Sequence, residues 1–376
     1  MSFAEDGLSV CAMANSTSMM CVSVDALRNQ VMELMRAWGM PQEAACVTAE
    51  VMSYADTHGI DSHGVLMLPL YDEFRRDGKL NLRAEPQLVR DRGATCLWDG
   101  AAGLGHYPST LAMDMAIQKA RTFGIGMASV RGSHHYGAAG AYAMQAARQG
   151  LLGVSTSAVY RPGIVPTGGR IPMLGTNPIA FAAPGSTEPP FCLDMATSTV
   201  AVGKLKLAKL HGKTLPEGWS VDQEGKPITD PVRALDIRYL TPLGALADLS
   251  SHKGYGLAAM VELLSTVLSG ACFAPLHAAM RPNQKTPDVG HFFMAIDPTF
   301  LREEGAFEAD LDAVTAALRK TPPVSEAVPV QVAGDPERRE AQHRKAHGIP
   351  LPREVSSMIE DLCTQAGCAF RLQEAA

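Results

Sequence analysis

The feature that most limits what this chain can fold into is a change of texture at residue 94. Before it, the apolar pattern is helical. Ser23 is a good N-cap for a rhythm at Leu27, Val31 and Leu34, which ends at Gly39. Pro41 opens a second helix that runs to about Thr57, with Gly59 closing it. Residues 78–93 are polar and irregular. After residue 94 the chain alternates strands with small-residue helices, which predicts a mixed α/β body. Strands are expected at 95–98, 126–130, 151–157, 178–183 and 191–195. Helices are expected at 108–123, with Leu111, Met115 and Ala120 on its apolar face, and at 138–148. Residues 212–250, rich in Gly, Pro and Asp, predict a loop-rich insertion. Leu257, Met260, Val261, Leu264 and Leu268 then line one face of a helix ending at Gly270. A strand at 292–296, a helix at 301–318, a strand at 328–332 and helices at 336–347 and 353–366 complete the chain. The expected organisation is a flexible extension over 1–22, a helical domain over 23–90 joined by the C-terminal helices of 336–376, and an α/β domain over 91–335.

Charge and cysteine usage exclude several classes of function. The 39 acidic and 33 basic residues leave a net charge of −6, which offers no general attraction to a phosphate backbone, so no nucleic-acid partner is expected. Eight cysteines at 11, 21, 46, 96, 192, 272, 363 and 368 show neither CxxC spacing nor a zinc-like cluster. No metal is expected, and scattered reduced thiols fit the cytoplasm. Glu5 and Asp6 stand where a signal peptide needs positive charge. No run of about 18 apolar residues occurs, so no membrane partner is expected.

The usual dinucleotide fingerprint, G-x-G-x-x-G after a strand, is missing. Gly103-Leu104-Gly105 and Gly137-Ala138-Ala139-Gly140 come nearest and neither fits. Five other segments carry groups suited to chemistry. Asp61-Ser62-His63-Gly64 could orient or relay a proton, or merely cap a helix. Ser133-His134-His135-Tyr136-Gly137 places histidines at a strand-to-helix junction, where one could serve as acid and base or both could be solvated. Leu174-Gly175-Thr176-Asn177-Pro178 offers close backbone approach and hydrogen bonds, or an ordinary turn. Asp194 ends an apolar strand, so it needs a cation, a histidine or a helix N-terminus. Alternatively, it caps the helix that follows. His252-Lys253-Gly254 opens a helix, where a phosphate or carboxylate would be welcome. A sixth segment, Gly334-Asp335-Pro336-Glu337-Arg338, reads as a turn and helix start.

Taken in order, these segments resemble the malate/L-lactate dehydrogenase family, which also holds ureidoglycolate, sulfolactate and diketogulonate oxidoreductases and Δ1-piperideine-2-carboxylate reductase. The matching stretches are 61–65, 103–106, 133–140, 174–180, 193–198, 253–262, 289–298 and 334–337. The resemblance implies a non-Rossmann NAD(P)-binding fold with a largely antiparallel sheet, NAD or NADP as cofactor, a small-molecule substrate and a homodimer. It implies His135 as proton donor and acceptor, with Ser62, His63 and Asp194 matching a relay of the imine-reducing branch. It implies cofactor contacts from His134, Tyr136, Gly137, Thr176, Asn177, Lys253, Gly254, Gly334 and Arg338. The substrate side is expected at Thr167, Arg161 and position 67. Relatives carry an arginine at that last position to grip a carboxylate. Here it is Met67, which cannot form the bidentate pair, so Arg75, Arg76, Arg161 or Arg170 would have to replace it. The substrate is then a 2-oxo or 2-hydroxy acid or a cyclic imino acid. A non-catalytic NAD(P)-binding relic is the alternative.

Overall fold

A computed structural model of the chain describes residues 19–283 and 288–374. The extension expected over 1–22 lies outside these residues as far as 18. Its last four residues form strand β1 (Met19–Val22). Helices α1 (Val24–Ala37), α2 (Gln42–Thr57) and α3 (Leu68–Arg76) follow. The Ser23 side chain accepts the Ala26 N–H at 3.1 Å, as its capping role requires. α3 lies in a stretch that sequence periodicity does not mark: it is nine residues long and has no side-chain cap.

The body runs β2 (Gln87–Arg92), β3 (Thr95–Gly103), α4 (His106–Phe123), β4 (Ile125–Ser133), α5 (Ala139–Ala147), β5 (Leu152–Ser157), β6 (Ile179–Ala183) and β7 (Phe191–Met195). It continues through α6 (Val202–Leu210), α7 (Pro231–Ile237), α8 (Ser251–Glu262), α9 (His277–Met280), β8 (Val289–Ile296) and α10 (Ala306–Arg319). α11 (Asp335–His347), β9 (Ile349–Pro352) and α12 (Arg353–Ala366) end it. The mixed α/β body holds one seven-stranded sheet in the order β2-β3-β4-β8-β5-β6-β7. Of its six pairings only β3 with β4 is parallel. A core of small side chains, among them Ala116, Ala120, Ala143 and Ala146, joins α4 and α5 to one face. Two glycines allow that closeness. A Cβ on Gly126 would lie 2.0 Å from the Ala116 carbonyl, and one on Gly153 would lie 2.4 Å from that of Ala143.

Three local expectations need correcting. Residues 328–332 form no strand: Val328 makes only an isolated bridge to Ser325. Residues 212–250 are less loop-like than their composition suggests, because α7 supplies Ala234 to a small core with Leu205, Leu215, Ile228 and Leu240. The helix before Gly270 follows its apolar stripe only in part: Val261 is buried and Leu257 and Leu264 are half-buried, but Met260 and Leu268 face out. α8 and the π-helical turn Leu263–Val267 turn Ser251, Gly254, Ala258, Ser265 and Thr266 inward, leaving Met260, Leu263, Val267 and Leu268 exposed. Small residues face inward because the sheet comes so close, a Cβ on Gly290 falling 1.9 Å from the Ser265 carbonyl.

The two chain ends share one core. β1 pairs antiparallel with β9, and Leu27, Leu34, Met52, Leu68 and Tyr71 pack with Ile349, Leu351, Ile359 and Leu362. Arg344 of α11 is only 2% exposed and locks this junction. Its guanidinium donates to both Asp61 carboxylate oxygens, to the Asp56 carbonyl, and to Glu340 Oε1 at 2.6 Å. Arg344→Met should leave Asp61 and Glu340 without their cation. The expected loss is about 3 kcal/mol in urea unfolding, the lower end for opening a buried pair, since both acids keep partial access to water. A loss within error of zero would show that the pair does not hold the two ends together.

Candidate active site

His135 lies between β4 and α5, and its ring is fixed from the N-terminal helices. The Tyr71 hydroxyl sits 2.7 Å from His135 Nδ1, and the Gly137 N–H donates to the same nitrogen at 3.3 Å. A backbone N–H can only donate, so Nδ1 is the acceptor and the proton sits on Nε2. Burial lowers the pKa of His135 well below the ordinary 6.5, and the nearby His63, His106 and His291 push it the same way. The imidazole is therefore neutral at neutral pH. His63 stacks on it with ring centroids 5.4 Å apart, and Ser62 Oγ lies 2.9 Å from His63 Nδ1.

The segment carrying Ser62 and His63 is held from below. Asp56 of α2 is fully buried and accepts the Val65 N–H at 3.0 Å. Gly64 must be glycine, since a Cβ there would sit 1.8 Å from Asp56 Oδ1. Sequence reasoning missed Tyr71, His106 and His291 as members of this cluster. His106 opens α4 fully buried, with neither ring nitrogen bonded to protein, and desolvation drives its pKa down to about 3. His291 of β8 is bonded on both nitrogens, to Ser157 Oγ at 2.9 Å and Ser133 Oγ at 3.1 Å. The segment match at 103–106 and 289–298 pointed to both histidines without giving either a role.

Other expected residues divide sharply. Asp194 makes no hydrogen bond to Ser62 or His63 among the described residues. Its Oδ2 instead accepts the Gly140 N–H at 2.7 Å in the first turn of α5. It thus found the helix N-terminus that its burial demands, but on the helix two strands earlier in the chain. Burial raises its pKa to about 6, although that hydrogen bond opposes the shift. Tyr136 turns into the core rather than toward a cleft: it stacks 4.6 Å from His291, and its hydroxyl meets Ser155 Oγ at 3.3 Å. His134 donates from Nε2 to the Lys79 carbonyl at 2.9 Å and packs edge-on to Phe74. Phe74 in turn meets Tyr160, the neighbour of Arg161.

Gly254 serves the fold, since a Cβ there would lie 2.0 Å from the Leu243 carbonyl. Lys253, beside it in the first turn of α8, is exposed with no carboxylate partner among the described residues. Thr167 Oγ1 meets Ser251 Oγ at 2.9 Å. Both border a cleft that also takes in Gly168, Gly169 and Arg170. Asn177 sits at φ 35° and donates to Glu262 Oε2 at 2.8 Å and to the Ala258 carbonyl at 3.0 Å, while its buried Oδ1 lacks a protein partner. The Thr176 carbonyl accepts from the Thr197 N–H at 2.9 Å. Gly334 and Arg338 lie far along the chain, beside a separate cleft with Tyr54, Cys192 and Asp194, and Arg338 pairs with Asp335.

Met67 stands one helical turn before Tyr71, on the same face. Of the cations that might replace the missing arginine, Arg75 and Arg76 both pair with Asp72. Arg161 and Arg170 have no ion-pair partner among the described residues.

The sequence profile described as malate/L-lactate dehydrogenase matches residues 22–360. Malate dehydrogenase from Pyrococcus horikoshii is 35% identical over 92% of this chain and 95% of its own length. The solved malate dehydrogenase from Entamoeba histolytica superposes with a TM-score of 0.88 at 32% identity, covering 93% of this chain and 99% of that one. The solved delta1-piperideine-2-carboxylate reductase from Pseudomonas syringae pvar. tomato gives 0.79 at 30% identity, over 91% and 99%. The fold is that of these dehydrogenases, and the chain is an NAD(P)-dependent oxidoreductase. The chain belongs to the malate/L-lactate dehydrogenase family.

The packing around His135 sets its protonation. In nitrogen-15 spectra of the free protein it should remain the neutral Nε2–H tautomer at pH 6.5, where an ordinary histidine is half protonated. A titration midpoint at or above 6.5, or an Nδ1–H tautomer, would contradict the arrangement.

Proposed function

We propose that the chain interconverts a small 2-hydroxy acid and its 2-oxo acid with NAD or NADP, His135 moving the proton. The observation that carries this reading is the Tyr71 contact at 2.7 Å, which engages Nδ1 and leaves Nε2 as the nitrogen free to face a substrate oxygen. The nicotinamide, when bound, supplies or accepts the hydride. Neutral His135 is the base for the oxidation. For that step Nδ1 must carry the proton, which means giving up the long Gly137 contact at 3.3 Å while the Tyr71 hydroxyl turns from donor to acceptor. In the reductive direction the ring must first take a second proton, which burial makes costly and which opens the 3.3 Å Gly137 contact; it then gives its Nε2 proton to the developing alkoxide, so this direction should slow as pH rises.

The residues fit the cofactor. Lys253 in the first turn of α8, and Arg170 in the cleft that Ser251 at the start of that helix also lines, suit phosphate groups. The orphaned Oδ1 of Asn177 is an acceptor waiting for an N–H. Thr176, His134, Tyr136 and Gly137 are proposed as further cofactor contacts, and Gly334 and Arg338, beside their separate cleft, are proposed with them. On this reading NAD(P) is bound without a Rossmann sheet, which the single parallel pairing supports. The division at about residues 90 and 335 into a two-ended helical domain and an α/β domain belongs to the same proposal, as does a cytoplasmic location. So does a homodimer: the stripe of Leu263, Val267 and Leu268, 58%, 66% and 60% exposed, is more apolar surface than a helix usually shows to water. A second reading, reduction of a cyclic imino acid, is favoured by the Ser62–His63 hydrogen bond at 2.9 Å. The detached Asp194 does not support it.

Replacing His135 with Asn should lower turnover of 2-oxo acids by about 10²-fold or more with little change in cofactor Kd. Near-normal activity would move the role to His63. Met67→Arg tests specificity on a panel of small and bulky 2-oxo acids and cyclic imines. A guanidinium one turn from Tyr71 should raise kcat/KM for the smallest acids by roughly tenfold or more, the value of one charge-assisted hydrogen bond, and lower it for bulky ones. An unchanged preference would place residue 67 outside the pocket and leave Arg161 or Arg170 to hold the carboxylate.

A further inference from the structure

A pair of cysteines far from the active site in sequence is arranged for a reaction of its own. α12 ends in a Schellman motif. Gly367 takes the left-handed conformation at φ 71°, its N–H donates to the Thr364 carbonyl at 3.2 Å, and the Cys368 N–H reaches back to the Cys363 carbonyl at 3.0 Å. In this motif the first and last residues of the six-residue loop bring their side chains together, usually as an apolar contact. Here both are cysteines. Cys363 is fully buried in the core shared by the two chain ends, and Cys368 packs on that core while remaining partly exposed. Both side chains therefore lie at the same corner of that core, one turn of chain apart.

Gln30 of α1 binds this corner from the other side. Its Nε2 donates to Cys363 Sγ at 3.2 Å and to the Ala369 carbonyl at 3.0 Å, and its Oε1 accepts the Arg371 N–H at 2.6 Å. The corner is therefore the point where the C-terminal tail is tied to the first helix.

We propose that Cys363 and Cys368 form a reversible intrachain disulfide when the folded protein meets a low-molecular-weight disulfide such as oxidised glutathione. The partly exposed Cys368 thiolate attacks one sulfur of the small disulfide, forming a mixed disulfide and releasing one small thiolate. Cys363 then loses its proton to solvent and attacks the Cys368 sulfur, closing the protein disulfide and releasing the second small thiolate. Two protein thiols are oxidised by two electrons, and one small disulfide is reduced to two thiols. Burial, with Cys368, Glu33 and Glu360 nearby, pushes the Cys363 thiol up to about 12. Closure is then the slow step and quickens as pH rises. The disulfide fastens the helix end and the tail that Gln30 holds.

The test is native, full-length protein incubated with oxidised glutathione, quenched with acid and mapped by peptide mass. The expected product is a Cys363–Cys368 crosslink lacking two hydrogens, with the count of free thiols in the unfolded chain falling by two from eight through this pair. Cys368→Ser should abolish both the crosslink and any adduct at 363. Cys363→Ser should trap a stable glutathione adduct at 368. Should that variant fail to fold, the Cys368→Ser result and the wild-type crosslink decide the matter. A wild-type protein that keeps both thiols free, or accumulates a stable adduct at Cys368 without closure, would overturn the proposal. So would a crosslink that forms only after unfolding.

Discussion

The hydrogen bond between Tyr71 and His135 is the contact, among several that join the core of the two chain ends to the sheet, that fixes the His135 ring. Tyr71 belongs to a helix of the core shared by the two chain ends, and His135 to a loop leaving the sheet, 64 residues later. A histidine free to turn could present either nitrogen in either protonation state. With Nδ1 engaged by a fully buried phenol and a backbone N–H, one ring nitrogen is left for chemistry. The energetic cost of holding a neutral imidazole in so dry a place is small, because the charged form alone suffers from desolvation. The same dryness strengthens any hydrogen bond that the free nitrogen later makes.

The remaining structure keeps that bond in register. Arg344, delivered by the C-terminal helices, fixes Asp61, and Asp56 fixes the backbone at Val65. Between them the loop has little freedom, so His63 is held against the His135 ring. On the sheet side, His291 is bonded on both nitrogens to serines of β4 and β5 and stacks on Tyr136, the residue after His135. The histidines packed around His135 all lower its proton affinity, and none supplies a carboxylate that would raise it.

How much of this was legible in the sequence depended on the range of the interaction. Helices with local signals, such as α1 with its Ser23 cap and α4 with its closing Gly124, could be read directly. β2 could not, because all six of its residues are exposed and an edge strand without a buried face has no alternation. α8 carried a clear apolar stripe, yet only Val261 of it is fully buried, because the close approach of the sheet at Gly290 turned small residues inward and left Met260 and Leu268 exposed. Asp194 illustrates the intermediate case. An acid at the end of an apolar strand must find a partner, and burial says so, but only the strand order reveals that the partner is α5. Tyr71 had no local mark at all. Its importance arises from a partner 64 residues away, and nothing short of the fold shows it.

In the proposed reaction His135 Nε2 is the atom that exchanges a proton with the substrate. The most direct test is a crystal structure of the protein with NADH and an unreactive 2-oxo acid analogue such as oxamate. The prediction is Nε2 within about 2.6–3.2 Å of the analogue's carbonyl oxygen, with Tyr71 still on Nδ1. A complex in which that oxygen is held by His63 or another donor, and Nε2 of His135 has no contact with the bound acid, would contradict it.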